Sequence, residues 1–176
     1  GPEADALFGA LPGHQPVEGI TAADPSDATR LLQDPDYALV KALQVSQQSF
    51  LITDPTLPDN PIVYASQGFL DLTGFPMDQV LGRNCRFLQG PGTDPAAVDI
   101  IRKGITNGDD TSVCLLNYRK DGTPFWNQFF VAVLRDSDGN IVNFVGVQCE
   151  VPDANMEDEL KERVRTINFE DYDEDG

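Results

Sequence analysis

One cysteine in this chain has cationic and amide neighbours. The run Gly82-Arg83-Asn84-Cys85-Arg86-Phe87-Leu88-Gln89 sets a thiol among two guanidiniums and two carboxamides, with two bulky apolar side chains beside them. An inert structural cysteine usually sits among aliphatic residues, whereas one with polar neighbours is placed for chemistry or for contact with a polar ligand. The arginines suit a phosphate taken in bidentate fashion. The amides suit a heteroaromatic edge, and Phe87 and Leu88 suit the face of a flat ring. The run points to a thiol held next to a phosphorylated aromatic cofactor.

The rest of the composition narrows what that thiol can do. The only histidine is His14, in a Pro/Gly-rich stretch far from Cys85, so Ser-His-Asp and Cys-His catalysis have no base to use. Cys85, Cys114 and Cys149 form neither an even disulfide framework nor a metal spacing, and they imply a reducing compartment and no metal site. The net charge of −17 is concentrated at the two ends, while residues 37–149 are nearly balanced, with eleven acids against eight bases. Direct binding of nucleic acid or an anionic membrane is disfavoured, because phosphate backbones require clustered Lys and Arg. No apolar run reaches the length of a membrane span. The opening Gly1-Pro2 reads as a protease scar, which makes the chain a fragment.

The elements that position Cys85 follow from periodicity and punctuation. Residues 1–28 are rich in Pro, Gly, Ala and Asp without a repeat and read as a disordered extension. A flanking helix is expected within 29–46, with Asp34 as cap, Pro35 at its first position, and Leu39, Val40 and Leu43 on one side. Strands are expected over Phe50–Asp54 and Ile62–Ser66, then short helical pieces over Gln67–Thr73 and Pro76–Leu81. A longer helix starts with Asp94 as cap and Pro95 behind it and stops near Gly104. Strands over Thr111–Arg119, Pro124–Arg135 and Ile141–Val151, separated by Asp121-Gly122 and Asp138-Gly139-Asn140 turns, complete an α+β domain with an antiparallel sheet. Met156, Leu160, Val164 and Ile167 make one stripe of a C-terminal flanking helix over 152–168, followed by an acidic tail over 169–176.

Strand parity sorts the side chains into two faces. One carries Asn117, Asn127 and Gln148 among the apolar Leu115, Phe129, Val131 and Phe144, with the small Gly146 between them. A carboxamide both donates and accepts, which suits a flavin or pterin edge, and a glycine inside a strand marks close approach of a ligand. The opposite parity carries Trp126, Phe130, Leu134, Val145 and Val147, an apolar set larger than a soluble monomer usually leaves in water. A flanking helix is expected to cover it.

These residues closely match a known pattern. From about Gln47 to Val151 the chain resembles the LOV (light-oxygen-voltage) subclass of PAS domains, with the cysteine motif complete and Asp59-Asn60-Pro61-Ile62, Asn117-Tyr118, Phe125-Trp126-Asn127 and Gly146-Val147-Gln148 in family order. Asn117 to Gly122 and Gly146 to Cys149 look most like aureochromes, algal transcription factors that join a bZIP region to a LOV domain. The resemblance implies a PAS fold: a five-stranded antiparallel sheet with short helices on its ligand face and the two flanking helices at either end. It implies FMN as cofactor and Cys85 as the residue that bonds the flavin reversibly under blue light. It implies that Asn84, Gln89, Asn117, Asn127 and Gln148 hydrogen-bond the ring and ribityl chain, and that Arg86 and Arg102 hold the phosphate. Thr53, Asn60, Ile62, Leu88, Phe129, Val131, Phe144 and Gly146 line the ring cavity in the same reading. Gln148 would relay the signal by turning its amide. Ser49 departs from phototropin-like domains, where asparagine is common, and this bears on the dark-recovery rate.

The function expected is therefore a non-enzymatic blue-light sensor. It would act on a linked bZIP-type effector, absent here, through flanking-helix rearrangement and light-dependent homodimerisation. The fragment itself binds neither DNA nor membrane in this reading, and the setting is intracellular, or nuclear for an aureochrome parent. The alternatives are a PAS interaction module without photochemistry and a flavin oxidoreductase. The second lacks a Gly-rich dinucleotide fingerprint and an acid/base pair.

Overall fold

The computed structural model describes residues 15–21 and 23–152. Five strands, β1 (Phe50–Thr53), β2 (Ile62–Ala65), β3 (Thr111–Tyr118), β4 (Pro124–Arg135) and β5 (Ile141–Val151), form one sheet in the order β2-β1-β5-β4-β3. Every neighbouring pair is antiparallel. The last two strands have the bounds expected from the Asp-Gly turns, and the sheet is the expected five-stranded α+β arrangement. The expected C-terminal helix and the tail lie outside the described residues.

The helices form where local signals agree. In α3 (Gln67–Thr73) the Ser66 hydroxyl accepts from the Phe69 amide, and Gly74 closes the C-terminus in the left-handed region. In α4 (Pro95–Asn107) the Asp94 carboxylate caps the Ala96 amide. Two expectations need correction. Helix α4 does not stop near Gly104 but runs on to Asn107, where Gly108 supplies the left-handed terminus. In α2 (Asp34–Val45) the cap position falls to Gln33, whose side chain makes no capping bond, so Asp34 is the first helical residue.

A third correction concerns the expected disordered extension. Of its described part, Pro25–Ala28 forms the short helix α1, capped by the Asp24 carboxylate. Ahead of it, the Val17 amide donates to the Gly82 carbonyl at 2.9 Å. Low hydropathy hid this segment, because polar backbone bonds hold it as much as apolar burial does.

The sheet divides two cores. On the outer face, Phe50, Ile52, Ala132, Leu134 and Val145 pack against Val40, with Leu39 and Leu43 of α2 beside it. That cover is the N-terminal helix. Toward the β3 edge the same face is more open, and Phe130 retains 39% exposure. On the inner face, one cluster around Leu51, Ile62, Phe69, Val80 and Leu88 meets a second around Ala97, Ile101, Leu115, Phe129, Val131 and Phe144. Cys85 touches both clusters.

Candidate functional site

Cys85 opens a single 3-10 turn, Cys85–Leu88, between β2 and α4. Asn84 caps this turn: its carbonyl oxygen accepts from the Arg86 amide at 3.0 Å, and its Nδ2 donates to the Asp59 carbonyl at 2.8 Å. Asn84 therefore spends much of its amide on holding the turn. The thiol looks into a cavity of about 210 Å³ between the inner face of the sheet and α4.

The sheet supplies the cavity's polar edge. Asn117, Asn127 and Gln148 all line it and are all buried, as parity predicted. Asn127 donates through Nδ2 to Asn117 Oδ1 at 2.9 Å and accepts from the Cys149 amide at 3.2 Å. The Gln148 Oε1 accepts from the Ser49 hydroxyl at 3.0 Å, while its Nε2 donates to the Gly146 carbonyl at 3.3 Å. A second strand contact runs the other way, from the Gln148 amide to the Ser49 carbonyl at 3.0 Å. Ser49 thus fixes the orientation of the Gln148 amide, a link that residue spacing alone did not reveal.

Phe129, Val131, Phe144 and Gly146 form the apolar wall behind these amides. A Cβ on Gly146 would lie 2.8 Å from the Phe129 ring, so a neighbouring side chain, where a ligand was expected, already requires the glycine. Leu88, Gln89, Thr53 and Asn60 line the cavity too, as do Arg86 and Arg102. Two residues are placed elsewhere. Ile62 is wholly buried with Phe69 and Val80, among side chains behind the cavity. Phe87 turns away and packs edge-on against Phe75, with ring centroids 5.0 Å apart. Leu51, Val98, Ile101, Ile105 and Leu115 complete the lining. Sequence reasoning missed Val98, Ile101 and Ile105 because an amphipathic helix face reads the same whether it meets core or ligand.

The electrostatics of the site are those of a neutral thiol. Burial pushes the Cys85 thiol up to about 11, against a smaller opposing pull from the Arg86 guanidinium. Arg86 itself is paired with Asp59, through Nη1 to Oδ1 at 2.9 Å and through Nη2 to Oδ2. Among the described residues three buried side-chain polar atoms lack a hydrogen-bond partner, namely Thr53 Oγ1, Asn60 Oδ1 and Arg86 Nε, and all three residues line this one cavity. Buried polar groups are nearly always satisfied, so orphans gathered in one place fit a bound molecule with matching groups. Apolar walls, amides on one edge and a guanidinium at one end suit a flat, polar-edged aromatic that carries an anion. Among the described residues no group of His, Cys, Asp or Glu is placed to hold a metal ion. No described helix is long and apolar enough to cross a membrane.

A family model described as a PAS domain matches residues 47–151. The chain belongs to the PAS-domain family. The dark structure of the blue-light photoreceptor Aureochrome1 LOV is 70% identical, with a TM-score of 0.64 over 80% of this chain and 99% of that one. Its light-state structure is likewise 70% identical, with a TM-score of 0.63 over 71% of this chain and 98% of that one. A LOV domain studied with a flavin analogue is 61% identical, with a TM-score of 0.68 over 76% of this chain and 99% of that one. Within the PAS family, then, this chain is a LOV photoreceptor domain. Phototropin-1B of Oryza sativa subsp. japonica is 52% identical over 110 residues, which make up 62% of this chain and 12% of that protein. Blue-light-activated histidine kinase 1 of Erythrobacter litoralis (strain HTCC2594) is 44% identical over 147 residues, 84% of this chain and 40% of that protein. The LOV domain thus spans a small part of the longer relatives it matches.

Proposed function

We propose that this LOV domain binds FMN in the Cys85 cavity and senses blue light through a reversible bond between Cys85 and the flavin. The observation that carries the reading is the cavity into which Cys85 opens, lined by three residues whose buried polar atoms have no partner within the protein. When bound, FMN would supply the light absorption and, once excited, a ring carbon to take the sulfur and the adjacent ring nitrogen to take the thiol proton. The chain's own residues do the rest. Burial keeps Cys85 neutral and unreactive in the dark. Asn117, Asn127 and Gln148 face the polar edge of the ring, and Arg86 and Arg102 face the phosphate. Gln148, held by Ser49, can turn its amide from donor to acceptor when the proton at its partner changes.

Gln148 lies in β5 beside Val147 and Cys149, so a rotation there reaches the outer face of the sheet and biases the flanking segments. Output through those segments and altered homodimerisation, to a linked bZIP-type effector in the nucleus, extends the proposal, and catalytic turnover has no place in it. The test is the visible absorption of the purified domain. A structured flavin band should bleach in blue light and return in the dark, and Cys85→Ser should keep the band and lose the bleach. A protein that takes up no FMN, or a bleach that survives the substitution, would overturn the reading.

A further inference from the structure

Asp59 does not line the cavity, yet it holds two residues that do. Its carbonyl accepts from Asn84 Nδ2 at 2.8 Å, one residue before the thiol. Its carboxylate takes both Nη groups of Arg86, a bidentate pair on a side chain that is mostly buried. Asp59 and Asn60 both adopt positive φ, 64° and 46°, a conformation that Asp and Asn tolerate better than other L residues. The turn is bent in this way just where it meets the cysteine turn.

The geometry of a guanidinium makes this pairing consequential. Its donors lie in one plane, with an end-on face formed by the two Nη groups and a side-on face that includes Nε. Asp59 takes the end-on face. Nε remains buried without a partner in a residue that lines the cavity. The other cation, Arg102, is 71% exposed and only 3.7 Å from Asp99 along its own helix, so nothing fixes its direction. Arg86 is the one of the two whose orientation is set before a ligand arrives.

We propose that Asp59 is a positioning residue for the anionic end of the cofactor: by clamping the end-on face of Arg86, it fixes the direction of the guanidinium at the cavity wall, where its remaining donors can meet a phosphate. The inference rests on the FMN reading above and deepens it, because it says which residue makes the site prefer a phosphorylated flavin to an unphosphorylated one. Removal of the clamp costs affinity only where the ligand carries the phosphate. A carboxylate that merely neutralised Arg86 would have the opposite effect, and its removal would tighten phosphate binding.

The experiment titrates refolded apoprotein in the dark with FMN and, separately, with riboflavin, following flavin fluorescence. Asp59→Asn keeps the shape and tolerates the positive φ, while Asp59→Gly tolerates it and removes the side chain. Both variants should bind FMN about tenfold more weakly and riboflavin within about twofold of the parent. Unchanged or tighter FMN binding in both variants overturns the proposal. So does an equal loss of both ligands, or a variant that takes neither, since each assigns Asp59 to the fold at large. Parent protein that takes up neither flavin instead sinks the FMN reading itself, and the role of Asp59 with it.

Discussion

Partial burial of Cys85 favours its protonated form, and that has a measurable pH signature. The thiol's ordinary value of 9.0 is raised to about 11 by burial. A group raised in the folded state stabilises the fold fully below its unfolded value and loses that contribution as pH climbs through the folded one. Relative to Cys85→Ser, which does not titrate, the parent should hold its advantage up to about pH 9. It should then shed about 2 kcal/mol by about pH 11. Denaturant midpoints of the two proteins across that window check it, and a constant difference would mean that the thiol is not buried. At this scale much of the site was legible. Parity alone placed Asn117, Asn127 and Gln148 on one face, since a strand permits only two directions. The Asp59–Arg86 clamp was not legible, because a pairing 27 residues apart across two turns leaves no periodic trace. Ile62 and Phe87 went astray for a related reason: an apolar side chain next to a pocket looks the same in sequence whether it faces the ligand or the core behind it.

Among the elements, α4 sets the width of the cavity, and Gly104 sets how closely α4 approaches the sheet. A Cβ at Gly104 would stand 1.8 Å from Thr111 Oγ1 and 2.9 Å from Thr111 Cβ on β3. The same helix carries Val98, Ile101, Arg102 and Ile105 into the cavity lining. Intrinsic propensity favours alanine over glycine in a helix by about 1 kcal/mol, but overpacking costs about 1–3 kcal/mol. Steric crowding wins here, because its partner includes a strand Cβ rather than a flexible tip. Gly104→Ala should therefore lower the denaturation midpoint, and the displaced helix should weaken flavin uptake. A more stable variant with unchanged uptake would show that the helix can shift freely. The sequence reading took Gly104 for a helix stop, a fair inference from composition that failed because a close crossing demands glycine as firmly as a terminus does. Two of the three long strands were legible to the residue, and the third ends one residue before the expected Arg119. Their alternation is reinforced by Asp-Gly turns, whereas the cysteine turn is too short to carry any period.

In the molecule as a whole, the segment over 23–45 packs on the sheet, and one buried amide fastens it. Parity puts Asn143 on the outer face among apolar side chains, where it is fully buried. Its Nδ2 donates to the Thr53 carbonyl at 3.1 Å and the Ala28 carbonyl at 3.4 Å, and its Oδ1 accepts from the Arg30 amide at 3.2 Å. A second latch runs from the Gln33 amide to the Arg135 carbonyl at 2.8 Å, and the Arg135 amide returns to the Asp36 carboxylate at 2.6 Å. After the latches, α2 lays Val40 on the sheet and covers the part of the apolar face away from β3, as expected of a flanking helix. Thr53 lines the cofactor cavity, so Asn143 also joins the cavity wall to the segment that leads toward the N-terminus. Asn143→Ala leaves two carbonyls and one amide in search of partners where water is scarce. Each such group costs about 1–3 kcal/mol, part of which relaxation recovers. The variant should lose about 2–4 kcal/mol of stability. The Arg30 side chain is 56% exposed and held at the surface by Thr56 and Asp54, while its backbone amide, one residue position before the Arg30–Leu31 bond, is anchored by Asn143. Limited trypsin digestion should therefore cut after Arg30 much faster in Asn143→Ala than in the parent. Equal cutting rates and equal stability would show that α2 packing alone holds the segment, and that the cavity wall has no polar tie to the chain's N-terminal side.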